Sequence, residues 1–224
     1  MTRATLPTAA QYVPAAATLE QLGLAAQRCK GCDLYKCATR AVMGEGPASA
    51  RVMLVGEQPG DREDLAGKPF VGPAGKVLDR ALEEAGIARQ DIYVTNAVKH
   101  FKFEERGKRR IHKKPSIVET VACHPWVEAE IRIVQPRIIV CLGATAARAI
   151  IGKNHGVLQQ RGKFVDHPGA EAVTATVHPS AILRIPDHLK RQQEYDAFVQ
   201  DLVAVRRKLR RLDMAAERNS RSSE

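Results

Sequence analysis

Four short stretches of the sequence combine residue types that can do chemistry. Lys108-Arg-Arg-Ile-His112 sets three cations beside an imidazole. Cations of this kind clamp phosphates, and a neutral histidine among them can act as base or nucleophile. The neighbouring cations are expected to lower the pKa of His112 and keep the ring unprotonated. Glu57-Gln-Pro-Gly-Asp61 places two carboxylates and an amide on a tight loop, which suits positioning water or stabilising positive charge on a substrate. His178-Pro-Ser180 joins a hydrogen-bond donor to a rigid turn and a hydroxyl. Cys29-Lys-Gly-Cys32 is a CxxC pair needing further ligands; Cys123 is the obvious third and His100 a candidate fourth. A Cys3His zinc site and an iron–sulfur cluster with one histidine ligand are both open on this donor set. Each stretch alone also has a plainer reading: a solvated basic loop, a turn with flanking acids, a histidine satisfied by backbone, or two structural thiols.

These residues need elements to hold them. Thr18 reads as the N-cap of a short helix ending near the first cysteines. Arg51–Gly56, Asp91–Val98 and Arg137–Leu142 are apolar runs of strand length, and the first delivers the Glu57 loop at its carboxyl end, where parallel strands bind ligands. Cys141 lies inside one of these runs, where a thiol behaves as a small hydrophobe, and Cys37 is also a weak ligand candidate. Pro73–Gly86, Pro115–Val134 and Ala144–Ile151 carry helical patterns between the strands, and two further strands are predicted at Gly162–Asp166 and Ala172–Val177. Strand and helix alternate, which predicts an α/β fold: a three-layer α/β/α sandwich around a mainly parallel sheet. The predicted organisation is an Ala-, Pro- and Thr-rich arm over 1–17, one domain over 18–212 and a polar tail over 213–224.

The chain of 224 residues carries a net charge of +10, and Lys99–Lys114 holds eight Lys or Arg against two Glu. More than half of the net charge sits in those sixteen residues, which makes nucleic acid a more natural partner than a neutral metabolite. The start of the sequence lacks a basic flank followed by an apolar run, and no stretch is long and apolar enough for a membrane span. A soluble, cytoplasmic protein is expected, with no membrane partner and monomer as the default state. Five cysteines without a secretion signal argue against a disulfide framework.

Taken in order, the CxxC pair, Gly56-Glu-Gln-Pro-Gly-Asp-Arg-Glu63, Gly67-Lys-Pro-Phe-Val-Gly-Pro-Ala-Gly75, Tyr93-Val-Thr-Asn-Ala-Val98, Cys123 and His178-Pro-Ser180 resemble the family 4 uracil-DNA glycosylases. The resemblance spans about Cys29 to Arg184. Gln58 and the inserted Gly107-Lys-Arg-Arg-Ile-His112 are marks of the UdgX-type members; ordinary family 4 enzymes lack that insertion.

The resemblance implies roles residue by residue. Cys29, Cys32 and Cys123 match three cluster cysteines and His100 stands in the fourth position, implying a [4Fe–4S] cluster. Gln58 and Asp61 match the first catalytic loop, with Glu57 orienting the histidine of the insertion. Phe70 matches the ring that stacks on uracil, Asn96 the amide that reads its edge, and His178 the donor to the departing base. Lys108, Arg109 and Arg110 are expected to contact phosphate and, for the last two, to hold the insertion. Ser180, Leu183 and Arg184 match the loop that enters the duplex, with Leu183 as a wedge. The implied reaction on uracil-containing DNA ends with His112 bonded to C1′ of the sugar, a single turnover. A conventional multiple-turnover glycosylase and a non-catalytic DNA-binding module are the competing readings, and a base pocket of Asn96, Phe70 and His178 argues against the module.

Overall fold

The structure is a computed structural model that describes residues 8–152 and 161–221. Five strands form the central sheet: β1 (Val52–Gly56), β2 (Ile92–Asn96), β5 (Ile138–Leu142), β6 (Val165–His167) and β7 (Ala170–Thr176). Their order is β2-β1-β5-β7-β6. The first four run parallel and β6 closes one edge antiparallel to β7. The chain leaves β1 toward one side for β2 and then crosses back for β5. The carboxyl ends of β1 and β5 therefore flank the switch point at which open α/β sheets form ligand crevices.

Alternation along the strands makes two cores. Val52 and Leu54 of β1 face the layer made by helix α3 (Pro73–Glu84) and the C-terminal helix His188–Arg221, through Leu78, Leu82, Phe198 and Leu202. Met53 and Val55 face the opposite layer, where α4 (Ile117–Val134) and α5 (Ala144–Ile150) supply Val127, Ile131, Ala146 and Ala147. The predicted sandwich is the observed one. Helix starts follow the expected chemistry: Thr18 caps α1 (Leu19–Ala26) in a reciprocal capping box with Gln21, and Ser116 caps α4 the same way with Glu119.

Three features depart from the sequence expectation. The basic segment, read only as an insertion, is an antiparallel hairpin of β3 (Phe103–Arg106) and β4 (Arg109–His112). Its charged composition hides the period-two pattern, and its turn relies on Gly107 at φ 59. The C-terminal helix continues to Arg221, through most of the stretch expected to be a polar tail. Part of the N-terminal arm is also fastened down: Ala9 is buried and its N–H donates to the carbonyl of Ala122 at 2.7 Å. That contact belongs to a third cluster, in which Leu22, Ala26, Cys29, Cys123 and Trp126 pack together.

Candidate active site

The residues singled out in the sequence converge on a cleft at the switch point. Its larger lobe, about 460 Å3, is lined by Phe70, Asn96, His112 and His178 among others. A second lobe of about 270 Å3 adds Glu57, Thr145 and Lys114, and Gln58, His112, His178, Ser180 and Arg184 border both.

Phe70 and Asn96 form the inner wall. Asn96 ends β2 and is 2% exposed, and its side-chain amide has no protein partner among the described residues, so it is free for an incoming group. Phe70 is held at φ 57, a conformation that non-glycine residues rarely adopt. Two glycines make that placement possible. A Cβ on Gly75 would fall 1.6 Å from the Phe70 carbonyl oxygen, and one on Gly56 would fall 2.3 Å from Asn96 Oδ1 and 2.7 Å from the Phe70 ring. Such fixed strain is characteristic of functional sites.

His178 faces Phe70 with ring centroids 6.0 Å apart. Its Nδ1 accepts the Ser180 N–H at 3.1 Å and lies 2.8 Å from the Ser180 hydroxyl. Burial, reinforced by Arg184 and His112, pushes its pKa down to about 4. A neutral ring that accepts at Nδ1 carries its proton on Nε2, so His178 is an uncharged donor. Ser180, which borders the cleft, fixes that tautomer. Leu183, 42% exposed, stands at the end of the short helix Pro179–Leu183, where a wedge was expected.

The hairpin carries His112 to the cleft. His112 sits at the base of the hairpin opposite Phe103, not at its turn. Gln58 fixes that base: its Nε2 donates to the carbonyls of Lys102 and Lys113 at 3.2 and 3.0 Å, and its Oε1 accepts the Lys102 N–H at 3.2 Å. The Gln58 amide is thereby committed to the hairpin, although the residue borders the cleft. His112 Nε2 lies 3.6 Å from Glu57 Oε1, and the other Glu57 oxygen accepts the hydroxyl of Thr145. The His112 pKa is lowered as expected, yet the cause differs: burial comes first, and the cation that contributes is Arg184 of the opposite wall, against a raising effect from Glu57. Of the three cations just before His112, Lys108 and Arg109 are exposed at the outer end of the hairpin.

Arg110 departs from the phosphate-binding expectation because its charge is spent inside the protein. Its Nε donates to Asp61 Oδ1 and its Nη1 to Asp64 Oδ2, both at 2.6 Å, and the guanidinium lies over the rings of Phe101 and Phe103 at 5.5 and 5.0 Å. Asp61 is likewise a hairpin anchor. Asp64, fully buried, was not singled out in the sequence because an acid on a short helix gives no signal without its partner. Arg110→Met should cost about 1–3 kcal/mol, the penalty of leaving the buried Asp64 carboxylate without its cation, since Asp61 is half exposed and can turn to water. Urea unfolding checks the stability, and faster amide exchange of residues 103–112 would show that the hairpin has come loose.

Beneath Asn96 lies a buried ion pair that sequence reading also missed. Lys99 Nζ donates to Glu130 Oε2, Thr95 Oγ1 and the Asn96 carbonyl at 2.6, 2.7 and 2.8 Å. Glu130 also accepts from Tyr93, Thr95 and the Gly44 N–H. Every acceptor and donor is matched, the condition under which a buried pair is tolerated.

The candidate ligands occupy the third core cluster. Cys29 Sγ accepts from Trp126 Nε1 at 3.2 Å and from the Gly31 N–H at 3.5 Å, while Cys123 Sγ accepts from the Lys99 N–H at 3.2 Å. The three thiols are near enough to bear on one another's ionisation. His100 is 5% exposed, with a pKa pushed down to about 4 by burial. Among the described residues, no three His, Cys, Asp or Glu side chains converge as a single-ion site.

The switch point of a parallel sheet thus brings together a strained phenylalanine, an amide with no partner among the described residues and a neutral histidine donor, and comparison with known proteins gives the family. Residues 43–203 match the Uracil DNA glycosylase superfamily, and the chain belongs to that superfamily. Within it, the chain is 39% identical over 159 residues to the type-4 uracil-DNA glycosylase of Thermotoga maritima, covering 70% of this chain and 79% of that protein. The type-4 uracil-DNA glycosylase of Archaeoglobus fulgidus is 35% identical over 175 residues, 75% of this chain and 84% of the relative. A type-5 uracil-DNA glycosylase of Pyrobaculum aerophilum is 32% identical over 161 residues, 64% and 67% of the two chains. No helix among the described residues is long and apolar enough to cross a membrane.

Proposed function

We propose that this protein is a uracil-DNA glycosylase of the UdgX type, which excises uracil and then remains joined to the DNA through His112. The observation that carries the reading is the hairpin's delivery of a largely neutral His112, backed by Glu57, into the same cleft as Phe70, Asn96 and His178. An extruded uracil stacks on Phe70 and presents its polar edge to the Asn96 amide. The electron pair of the C1′–N1 bond departs with the base, and the His178 Nε2–H donates to the carbonyl oxygen on which that charge gathers. A lone pair on the His112 ring forms the new N–C1′ bond; the positive charge acquired by the ring is offset by Glu57, and its N–H proton passes to water. An N-glycosidic imidazole hydrolyses slowly, so the protein turns over once. Lys108, Arg109 and Arg184 supply phosphate contacts around the cleft and Leu183 fills the gap left in the stack.

Cys29, Cys32, Cys123 and His100 would hold a [4Fe–4S] cluster. The fit rests on three N–H donors aimed at the sulfurs and on a neutral buried imidazole, while burial pushes the Cys123 thiol up to about 12, so that metal charge is what would ionise it. Held there, such a cluster would tie together the N-terminal segment carrying Cys29 and Cys32, α4 carrying Cys123, and His100 at the root of the hairpin.

The reading is tested by mixing the protein with a uracil-containing oligonucleotide and running a denaturing gel beside a thymine control. A uracil-dependent band that survives boiling in detergent is expected; alkali-labile free oligonucleotide alone would mean a conventional glycosylase. The reaction should also follow His112 protonation. Because burial lowers its pKa, the rate of band formation should rise with pH through a midpoint below the ordinary 6.5 and stay level above it. A midpoint above 6.5 would assign the limiting ionisation elsewhere.

A further inference from the structure

We infer that Thr145 is a positioning residue that fixes the Glu57 carboxylate so that one oxygen confronts His112, and that it thereby sets how the reaction divides between capture by the histidine and capture by water. The inference rests on the functional reading above and concerns a residue that its chemistry does not require.

Glu57 follows β1 on a loop, and a glutamate side chain has three rotatable bonds by which to wander. Among the described residues its carboxylate has two partners, Thr145 at Oε2 and His112 at Oε1. The first is firmly placed. Thr145 is 7% exposed, in the first turn of α5, and its β-branched side chain has few rotamers. The turn before it is pinned to the sheet: Gly143, at φ 90, donates its N–H to the Thr176 carbonyl at 2.8 Å. A Cβ on Gly143 would come 3.0 Å from His178 Cβ, so this turn also packs against the histidine on the other wall. The threonine hydroxyl does not cap its own helix. It is spent on Glu57, and with Oε2 held, Oε1 has a defined approach to the imidazole at 3.6 Å. Without that anchor the carboxylate swings into the open cleft, the histidine ring loses its orientation, and a near-attack geometry is visited less often. Water then competes for C1′.

The test reads product partition in Thr145→Val, which keeps the shape and removes the hydroxyl, with Thr145→Ser as the conservative variant. Uracil-containing oligonucleotide is reacted to completion with excess protein, and covalent band and alkali-labile free product are quantified together. The valine variant should form the covalent band about tenfold more slowly and divert the larger share of reacted DNA to free abasic product, while serine restores the wild-type division. A loss of folded protein would slow both products alike and leave the partition where it was, which would overturn the inference. Wild-type protein yielding only free product would instead sink the reading on which the inference stands.

Discussion

His112→Ala should form no heat- and detergent-stable band with uracil-containing DNA, while still releasing uracil and leaving an alkali-labile abasic strand. The expectation follows from how the cleft divides its work. The groups proposed to bind the base and receive its charge, Phe70, Asn96 and His178, come from the turn before α3, the end of β2 and the N-cap of the helix Pro179–Leu183; His112 comes from the separate hairpin. Truncating the imidazole leaves the hairpin's anchors intact, since Arg110 still bridges Asp61 and Asp64 and Gln58 still holds the backbone of Lys102 and Lys113. The vacated space opens on the second lobe of the cleft, where water can reach C1′ beside Glu57. Loss of the band should therefore be complete, whereas excision should fall by no more than about 100-fold, the lower end of what a single positioned proton-transfer group contributes. Failure of both together would mean that His112 takes part in breaking the glycosidic bond.

Lys99→Met should be the most destabilising single change, at about 3–5 kcal/mol, the usual result of leaving one buried charge without its partner. Both members of the Lys99–Glu130 pair have fully buried side chains. Adding Glu130→Gln removes the orphaned charge and should recover at least about 1 kcal/mol, a coupling that a double-mutant cycle in urea measures directly. The pair also reaches the cleft, because the Lys99 ammonium holds the Asn96 carbonyl and its backbone N–H meets Cys123. Uracil binding in the double variant should consequently stay weaker than in the native protein even after stability is recovered. Simple additivity of the two changes would show that Lys99 and Glu130 are not the energetic unit their geometry describes.

What the sequence disclosed and what it concealed divide along physical lines. The sheet was legible because β1, β2 and β5 are buried on both faces and read as unbroken apolar runs, and the cap of α1 was legible because Thr18 is a local signal. The individual members of the cleft were legible as motifs, yet their relations were not. Arg110 reads as one more cation in a basic run until Asp64, forty-six positions away, is seen to neutralise it. Ser180 reads as a surface hydroxyl until its neighbour His178 is seen to use it. The cause of the His112 pKa shift was misjudged for the same reason, since burial is a property of the folded chain and the adjacent cations point elsewhere. Lys99, Glu130 and Thr145 carry no motif at all; each matters through contacts with residues distant in the chain.

The most direct test of the central claim is the site of attachment. After reaction with a uracil-containing oligonucleotide, the denatured protein is digested with nuclease and protease, and the modified peptide is sequenced by mass spectrometry. The account predicts one modified residue, His112, bearing a deoxyribose from which uracil has been lost, at no more than one per protein molecule. Attachment at any other residue, or several uracils released per protein with no modified peptide, would contradict it.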